Sequence, residues 1–264
     1  MSAEEPLAKY PRTHHLEGSR LQPGDEDLAQ IPWSELRGRP LVVEEKLDGA
    51  NSGLSFDSRG QLLLQSRGHY LRGGGNERQF SILKSWAHAR APRLRDALGD
   101  RYLVYGEWLH AKHTVFYDAL PHYFLEFDVL DRSNGDFLST DRRRELLGSL
   151  PLVSVPVLAR GRFERLEELT ALVGRSLYKS ERWRERLDES AREGSADPAR
   201  VRRETDGSDL MEGLYLKLEE GGRVVGRFKL IRSGFLQTVE GSGSHWMDRP
   251  LVANRLAPGV DIFA

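Results

Sequence analysis

The chain has 264 residues, 39% of them hydrophobic and 30% charged, with a formal net charge of −1. That length holds one sizeable domain with an elaboration; the composition excludes wholesale disorder or a repeat fibre, and the charge balance excludes coating of nucleic acid through bulk charge. The absence of cysteine removes disulfide scaffolds, thiolate zinc sites and cysteine nucleophiles.

Residues 1–40 read as a polar arm and lead-in, with a short helix of acidic start expected over Pro23–Leu36. The N-terminus has no apolar signal core and no apolar run is long enough to span a membrane, so a soluble, cytoplasmic protein is expected. From Leu41 the pattern becomes LVVEEK, SGLSF, a turn at Asp57–Gly60 and QLLLQS, expected as a meander or pair of hairpins. The GGGN stretch at Gly73 lacks the Gly-Lys-Ser/Thr of a phosphate loop and reads as a flexible turn. Phe80, Leu83 and Trp86 then recur at helical spacing, with Pro92 expected to interrupt.

Two strands rich in aromatic and β-branched residues follow, Tyr102–Leu109 and His122–Asp131, both expected to be central. Thr140 is an expected N-cap for the helix DRRRELLGSL, and VPVLAR is a further strand. The charge-dense stretch of about 163–205 reads as a helical insertion. The strands MEGLYLKLEE and RVVGRFKLI, joined by Gly221-Gly222, predict a hairpin. A tail, 235–264, is expected to pack on the domain.

Lysine is scarce, found only at positions 9, 46, 84, 112, 179, 217 and 229 among 39 Lys plus Arg residues. Arginine cannot usefully lose its proton, whereas a lysine amine can become neutral and attack an electrophile. Lys46 ends an apolar strand and is followed by Asp48 and Gly49, which places an amine at a rigid strand tip beside a carboxylate and a residue that permits close backbone approach. Taken alone, K-x-D-G reads more readily as a surface strand end with a D-G turn.

Further segments follow in order: SRG at Ser66–Gly68, GEW at Gly106–Trp108, FDVLD at Phe127–Asp131, EGLYLK at Glu212–Lys217 and RFK at Arg227–Lys229. With K-x-D-G they resemble the motif set of the covalent nucleotidyltransferases, the superfamily of polynucleotide ligases and mRNA capping enzymes, and within it the ATP-dependent RNA ligases of the RNA ligase 2-like kind. The resemblance covers roughly Val42–Arg232. It implies an α+β nucleotidyltransferase fold, ATP-grasp-like, of antiparallel sheets flanked by helices over 41–234. The roughly thirty residues after Arg232 are too few for an OB barrel, so no C-terminal OB domain is expected.

The same resemblance implies roles residue by residue. Lys46 would attack the α-phosphate of ATP and become lysyl-AMP. Glu45 would line the adenine pocket, Arg67 would contact the sugar, Glu107 the ribose hydroxyls, and Phe127 would stack on the base. Asp48, Glu107 and Glu212 would hold Mg²⁺ or Mn²⁺, and Lys217 and Lys229 would grip the α-phosphate. The chemistry is consistent, since nucleotidyl transfer asks for positioning and cations around phosphate, and oxygen ligands suit these metals. The two lysines and the metal would also depress the Lys46 pKa.

Arg227 stands where the motif usually has Lys. On pattern alone Phe127 reads as a core aromatic, and Glu212 with Lys217 as a solvated hairpin face. Glu107, His110 and His113 have helical ligand spacing but lie at a strand end, so a zinc site is not expected. The N-terminal Lys9, Arg12, His14, His15 and Arg20 are expected to form part of a phosphate-binding surface. Expected partners are RNA ends, with DNA ends an alternative, and an end-healing kinase or phosphatase. Competing readings are a GTP-dependent capping-type guanylyltransferase and a non-catalytic nucleic-acid-binding module.

Overall fold

The computed structural model describes residues 6–19, 30–235 and 250–264. In chain order its elements are β1 (His14–Leu16), β2 (Gln30–Ile31), β3 (Pro40–Lys46), β4 (Ala50–Phe56), β5 (Leu62–Ser66), α1 (Ser81–Leu98), β6 (Tyr102–Trp108), β7 (Phe124–Asp131), β8 (Asp136–Phe137), α2 (Thr140–Leu147), β9 (Val153–Ser154), β10 (Val157–Arg162), α3 (Leu166–Thr170), α4 (Trp183–Glu193), α5 (Pro198–Arg203), β11 (Gly213–Glu220) and β12 (Arg223–Ile231). Short 3₁₀ turns cover Trp33–Glu35 and Gly75–Phe80.

The strands form two sheets, ordered β10-β3-β11-β12-β1-β2 and β5-β4-β6-β7-β8, with β9 beside β7. Pairing is antiparallel except where β1 joins β12 and β2, and where β9 joins β7. In the first sheet, period-2 alternation buries Leu41, Val43, Leu214, Leu216, Leu218, Phe228 and Leu230 on one face, with Leu16, Leu36 and Leu169. The alternate positions of the same strands face the second sheet and carry the charged side chains, among them Glu44, Lys46, Lys217 and Arg227. The second sheet buries Leu54, Phe56, Val104, Trp108 and Phe124 under α1, whose Leu83, Trp86, Ala87, Leu94 and Leu98 face it. Each such large apolar side chain contributes about 1.5–3 kcal/mol by leaving water.

Several expectations are corrected. β3 and β4 do not pair as a hairpin: β3 lies between β10 and β11, and β4 between β5 and β6, so Leu47–Gly49 carries the chain from one sheet to the other. The cause is steric. A Cβ on Gly49 would lie 2.6 Å from Trp108 O and 2.8 Å from Leu109 Cδ2, so the chain crosses against β6 where only glycine fits. α1 runs through Pro92, held by the buried Leu94 and Leu98 beyond it. Ser139, not Thr140, precedes α2, and the Thr140 amide and hydroxyl both donate to Glu219 Oε1. The insertion is helical only in α3, α4 and α5; its 171–182 stretch is irregular, and within it Ser176 and Leu177 bond Glu45. Half of the helix expected over Pro23–Leu36 lies outside the described residues, and the described half is β2 and the Trp33–Glu35 turn in place of a continuous helix; Arg20 and residues 236–249 of the tail also lie outside. The described part of the tail, 250–264, packs through Val252, Asn254 and Ile262. The β11–β12 turn uses Gly221 and Gly222, both at positive φ, as a tight hairpin requires. Among the described residues no helix is long and apolar enough to cross a membrane.

Candidate active site

β3 delivers Lys46 to the point where the chain leaves the first sheet, and three acidic residues converge on it. Its Nζ donates to both Glu212 oxygens at 2.7 Å. Glu212 comes from the residue before β11, where Gly213 lies across from Lys46. A Cβ on Gly213 would sit 2.0 Å from Leu230 O, so only glycine allows β12 this close to the start of β11. Glu107 arrives from β6 and accepts from the Gly49 amide at 3.0 Å.

Asp48 is held by the loop after β6: its Oδ2 accepts from the Thr114 and Val115 amides at 2.6 and 2.7 Å, and its own amide donates to Tyr117 Oη at 2.9 Å. That loop is pinned in turn by Asn254, whose Oδ1 accepts from the Tyr117 amide and whose Nδ2 donates to Leu109 O. None of Thr114, Val115, Tyr117 or Asn254 carries a sequence signal for this role: Thr114 and Val115 act through backbone amides, and the Tyr117 and Asn254 side chains bond backbone groups brought near only by the fold.

The electrostatics follow from crowding acids around one amine. Burial and the neighbouring carboxylates push Glu107 up to about 8 and Glu212 up to about 7, against the opposing pull of Lys46. Burial works to lower the Lys46 pKa, but Glu212, Glu107 and Asp48 outweigh it and leave the ammonium above its ordinary value. This reverses the expectation that neighbouring cations depress the Lys46 pKa in the protein alone. The reason is that carboxylates, not cations, dominate the surroundings of the amine.

Lys217 lies across from Val42, four residues along β11 from the position facing Lys46. It is buried with Glu44 at 2.9 Å and Asp128 at 3.2 Å, and donates to Phe127 O. Arg227 joins the same group through Asp128 at 2.8 Å, and Arg143 of α2 bonds Glu44 at 3.0 Å and faces Glu126 at 3.4 Å. Three acids and three bases thus compensate one another between the sheets. Lys217 does not share the Lys46 site, whereas Lys229, across from Tyr215 and close enough to pull the Glu212 pKa down, does.

The remaining predicted residues are Phe127, Glu45 and Arg67. Phe127 sits in a β-bulge of β7, where the register to β6 shifts between Tyr105 and Gly106. A bulge turns a side chain out of the ladder and leaves a carbonyl to be satisfied otherwise, here by Lys217. Strand alternation turns Glu45 away from Lys46. Its oxygens accept from Ser176 Oγ at 2.5 Å and the Leu177 amide at 3.2 Å, so the insertion covers it. Arg67 is exposed just beyond Ser66, which lies across Ser52 from Gly106, at the Glu107 end of the second sheet.

Among the described residues no group of three or more acids or histidines is arranged to hold a metal ion. Asp48, Glu107 and Glu212 are gathered, yet the lysine ammonium lies among them and the Asp48 carboxylate is engaged by the loop. The excess of buried carboxylate still favours a cation, and Mg²⁺ is commonly held by one or two carboxylates completed by substrate phosphates. Glu107 and Glu212 fit that mode.

Residues 39–231 match the family model for RNA ligase. The chain belongs to the RNA ligase family. Solved structures are similar to it in fold. One is an RNA ligase mutant of Naegleria gruberi with ATP and Mn, at 18% identity and a TM-score of 0.54 over 89% of this chain and 59% of that one. A second Naegleria RNA ligase mutant with ATP and Mn has 17% identity and a TM-score of 0.52 over 88% and 58%. An archaeal ATP-dependent RNA ligase has 18% identity and a TM-score of 0.51 over 87% and 49%. The chain therefore spans about three-fifths of the Naegleria chains and half of the archaeal one. No curated protein sequence matches it.

Proposed function

We propose that this member of the RNA ligase family joins RNA 3′-hydroxyl and 5′-phosphate ends with ATP, through a lysyl-AMP on Lys46. The observation that carries the reading is the Lys46 amine at a sheet crossover, surrounded by Glu212, Glu107 and Asp48. Membership of the family supports it, as do the ATP and Mn of the Naegleria structures.

In the protein alone Lys46 is held protonated by Glu212, which keeps the amine in place and unreactive. ATP brings phosphates that compete with Glu212 for the ammonium, and Lys229, near Glu212, would meet the α-phosphate. A divalent ion, held by Glu107 and Glu212, would supply charge neutralisation at the phosphates and make the ammonium a stronger acid. Once the ammonium has given up its proton to solvent, the Lys46 Nζ lone pair bonds the α-phosphorus as the bond to pyrophosphate breaks; pyrophosphate leaves, and a second N–H proton passes to solvent to give the neutral phosphoramidate nitrogen. AMP passes to an RNA 5′-phosphate, and a 3′-hydroxyl displaces it. Arg67, exposed beyond the Glu107 end of the second sheet, would contact the sugar, and Phe127 would stack on the base. Glu45 acts on the pocket through the segment it holds. Lys217 acts through Phe127 and not on phosphate.

The test is incubation with α-labelled ATP and Mg²⁺. Label on the wild-type chain and none on Lys46→Ala or Lys46→Arg is expected. Equal label on Lys46→Ala rejects the reading, and label from GTP in place of ATP would favour guanylyl transfer. An end-healing kinase or phosphatase partner follows from the need for 5′-phosphate and 3′-hydroxyl ends, and sealing assays with and without one measure it.

A further inference from the structure

A residue in a bulge is not oriented by the strand ladder, so the Phe127 ring needs other restraints. It packs against two clusters. One contains Leu47, Tyr117, Leu125 and Tyr178, next to the Lys46 crossover. The other contains Tyr10, Tyr105 and Phe137.

Tyr10 comes from the N-terminal arm and is 7% exposed. Its ring meets Phe127 edge-on at 5.1 Å, and meets Tyr105 and Phe137 at 4.9 and 5.9 Å. Its hydroxyl donates to Asp128 Oδ2 at 2.5 Å and shares a hydrogen bond with Tyr215 Oη at 2.6 Å. The arm is fixed on either side of it. Ala8 O accepts from Gln65 Nε2 at 2.7 Å and Tyr105 Oη at 2.8 Å, and His15 of β1 lies beside Lys229. The hydroxyl thus reaches a carboxylate that Arg227 and Lys217 already share, while the ring presses on the residue whose carbonyl Lys217 holds.

We infer that Tyr10 is a positioning residue for the nucleotide base, backing Phe127 on the side away from Lys46. The described part of the N-terminal arm is then a wall of the nucleotide site and not a tail for the RNA strand. The inference rests on the reading of Phe127 as the base-stacking surface.

The experiment measures Lys46 labelling against ATP concentration in the full chain. Tyr10→Ala should raise the half-saturating ATP about tenfold while the rate at saturation stays within about twofold, the size expected for losing one aromatic contact and its hydrogen bonds. Tyr10→Phe keeps the ring and should raise it no more than about threefold. Tyr10→Leu fills the space without an aromatic edge and serves if the alanine variant does not fold; at least a threefold rise is expected.

Unchanged half-saturation in both Tyr10→Ala and Tyr10→Leu, with only a lower melting temperature, overturns the inference, as does a loss confined to the saturating rate. Calorimetry with an ATP analogue uncleavable at the α–β bridge separates the two readings. A wild-type chain that binds the analogue without labelling from ATP rejects lysyl-AMP chemistry, and the Tyr10 effect is then read in the binding constant. A chain that binds no nucleotide rejects both.

Discussion

At the scale of single residues, the controlling fact is that Lys46 is protonated and doubly bonded to Glu212. Glu212→Gln removes the largest pull that keeps the proton on, so the Lys46 amine should react faster with an acylating reagent at pH 8 in the absence of ATP. About a tenfold gain corresponds to one pKa unit, read by mass spectrometry of the modified lysine. Labelling by ATP should fall in the same variant, because the carboxylate is also the proposed cation ligand.

Glu107 and Glu212 carry pKa values raised above those of the unfolded chain, to about 8 and about 7, so the folded state binds more protons between pH 4.5 and these values. Stability from these groups therefore falls as pH rises through that window. Glu107→Gln should flatten the decline: its melting temperature relative to wild type should be higher at pH 8 than at pH 5. A parallel pair of pH curves would contradict this. The raised Lys46 has the same sign in a higher window, stabilising fully below the unfolded lysine pKa and losing that contribution as pH rises through its folded value.

At the scale of elements, the site depends on how closely strands approach. Gly49 and Gly213 each adjoin an acid of the cluster and each sits where a Cβ would collide with backbone, Trp108 O in one case and Leu230 O in the other. Gly213→Ala should therefore cost about 1–3 kcal/mol or more in urea unfolding and abolish labelling, because β11 and β12 must part before Glu212 can face Lys46. Part of this was legible beforehand: the D-G and E-G pairs mark such points, and the strand ending at Lys46 and the Gly221-Gly222 hairpin follow from period and turn chemistry. The split after Lys46 was not. Two consecutive strands with a short link read as a hairpin, and what sends β4 to another sheet is contact with β6, more than fifty residues later.

At the scale of the molecule, helix α2 ties the sheets together through Arg143, fully buried between Glu44 of β3 and Glu126 of β7. Arg143→Met leaves those carboxylates short of a partner and should cost about 3–5 kcal/mol, seen as a lower urea midpoint with an unbroken single transition. The motif order located the Lys46 cluster in sequence, since those residues lie at strand ends. It misjudged Lys217 because a hairpin pattern gives which face a residue takes but not how far along the strand the partner lies; register comes only with the β3–β11 pairing.

Strands β4 to β9 form a single uninterrupted excursion between β3 and β10, so one sheet is an inset within the sequence of the other. The amine belongs to the outer layer and Glu107 to the inset one. A covalent tag on Lys46 would accordingly count only molecules in which both layers have docked, making the reaction its own gauge of correct assembly during refolding.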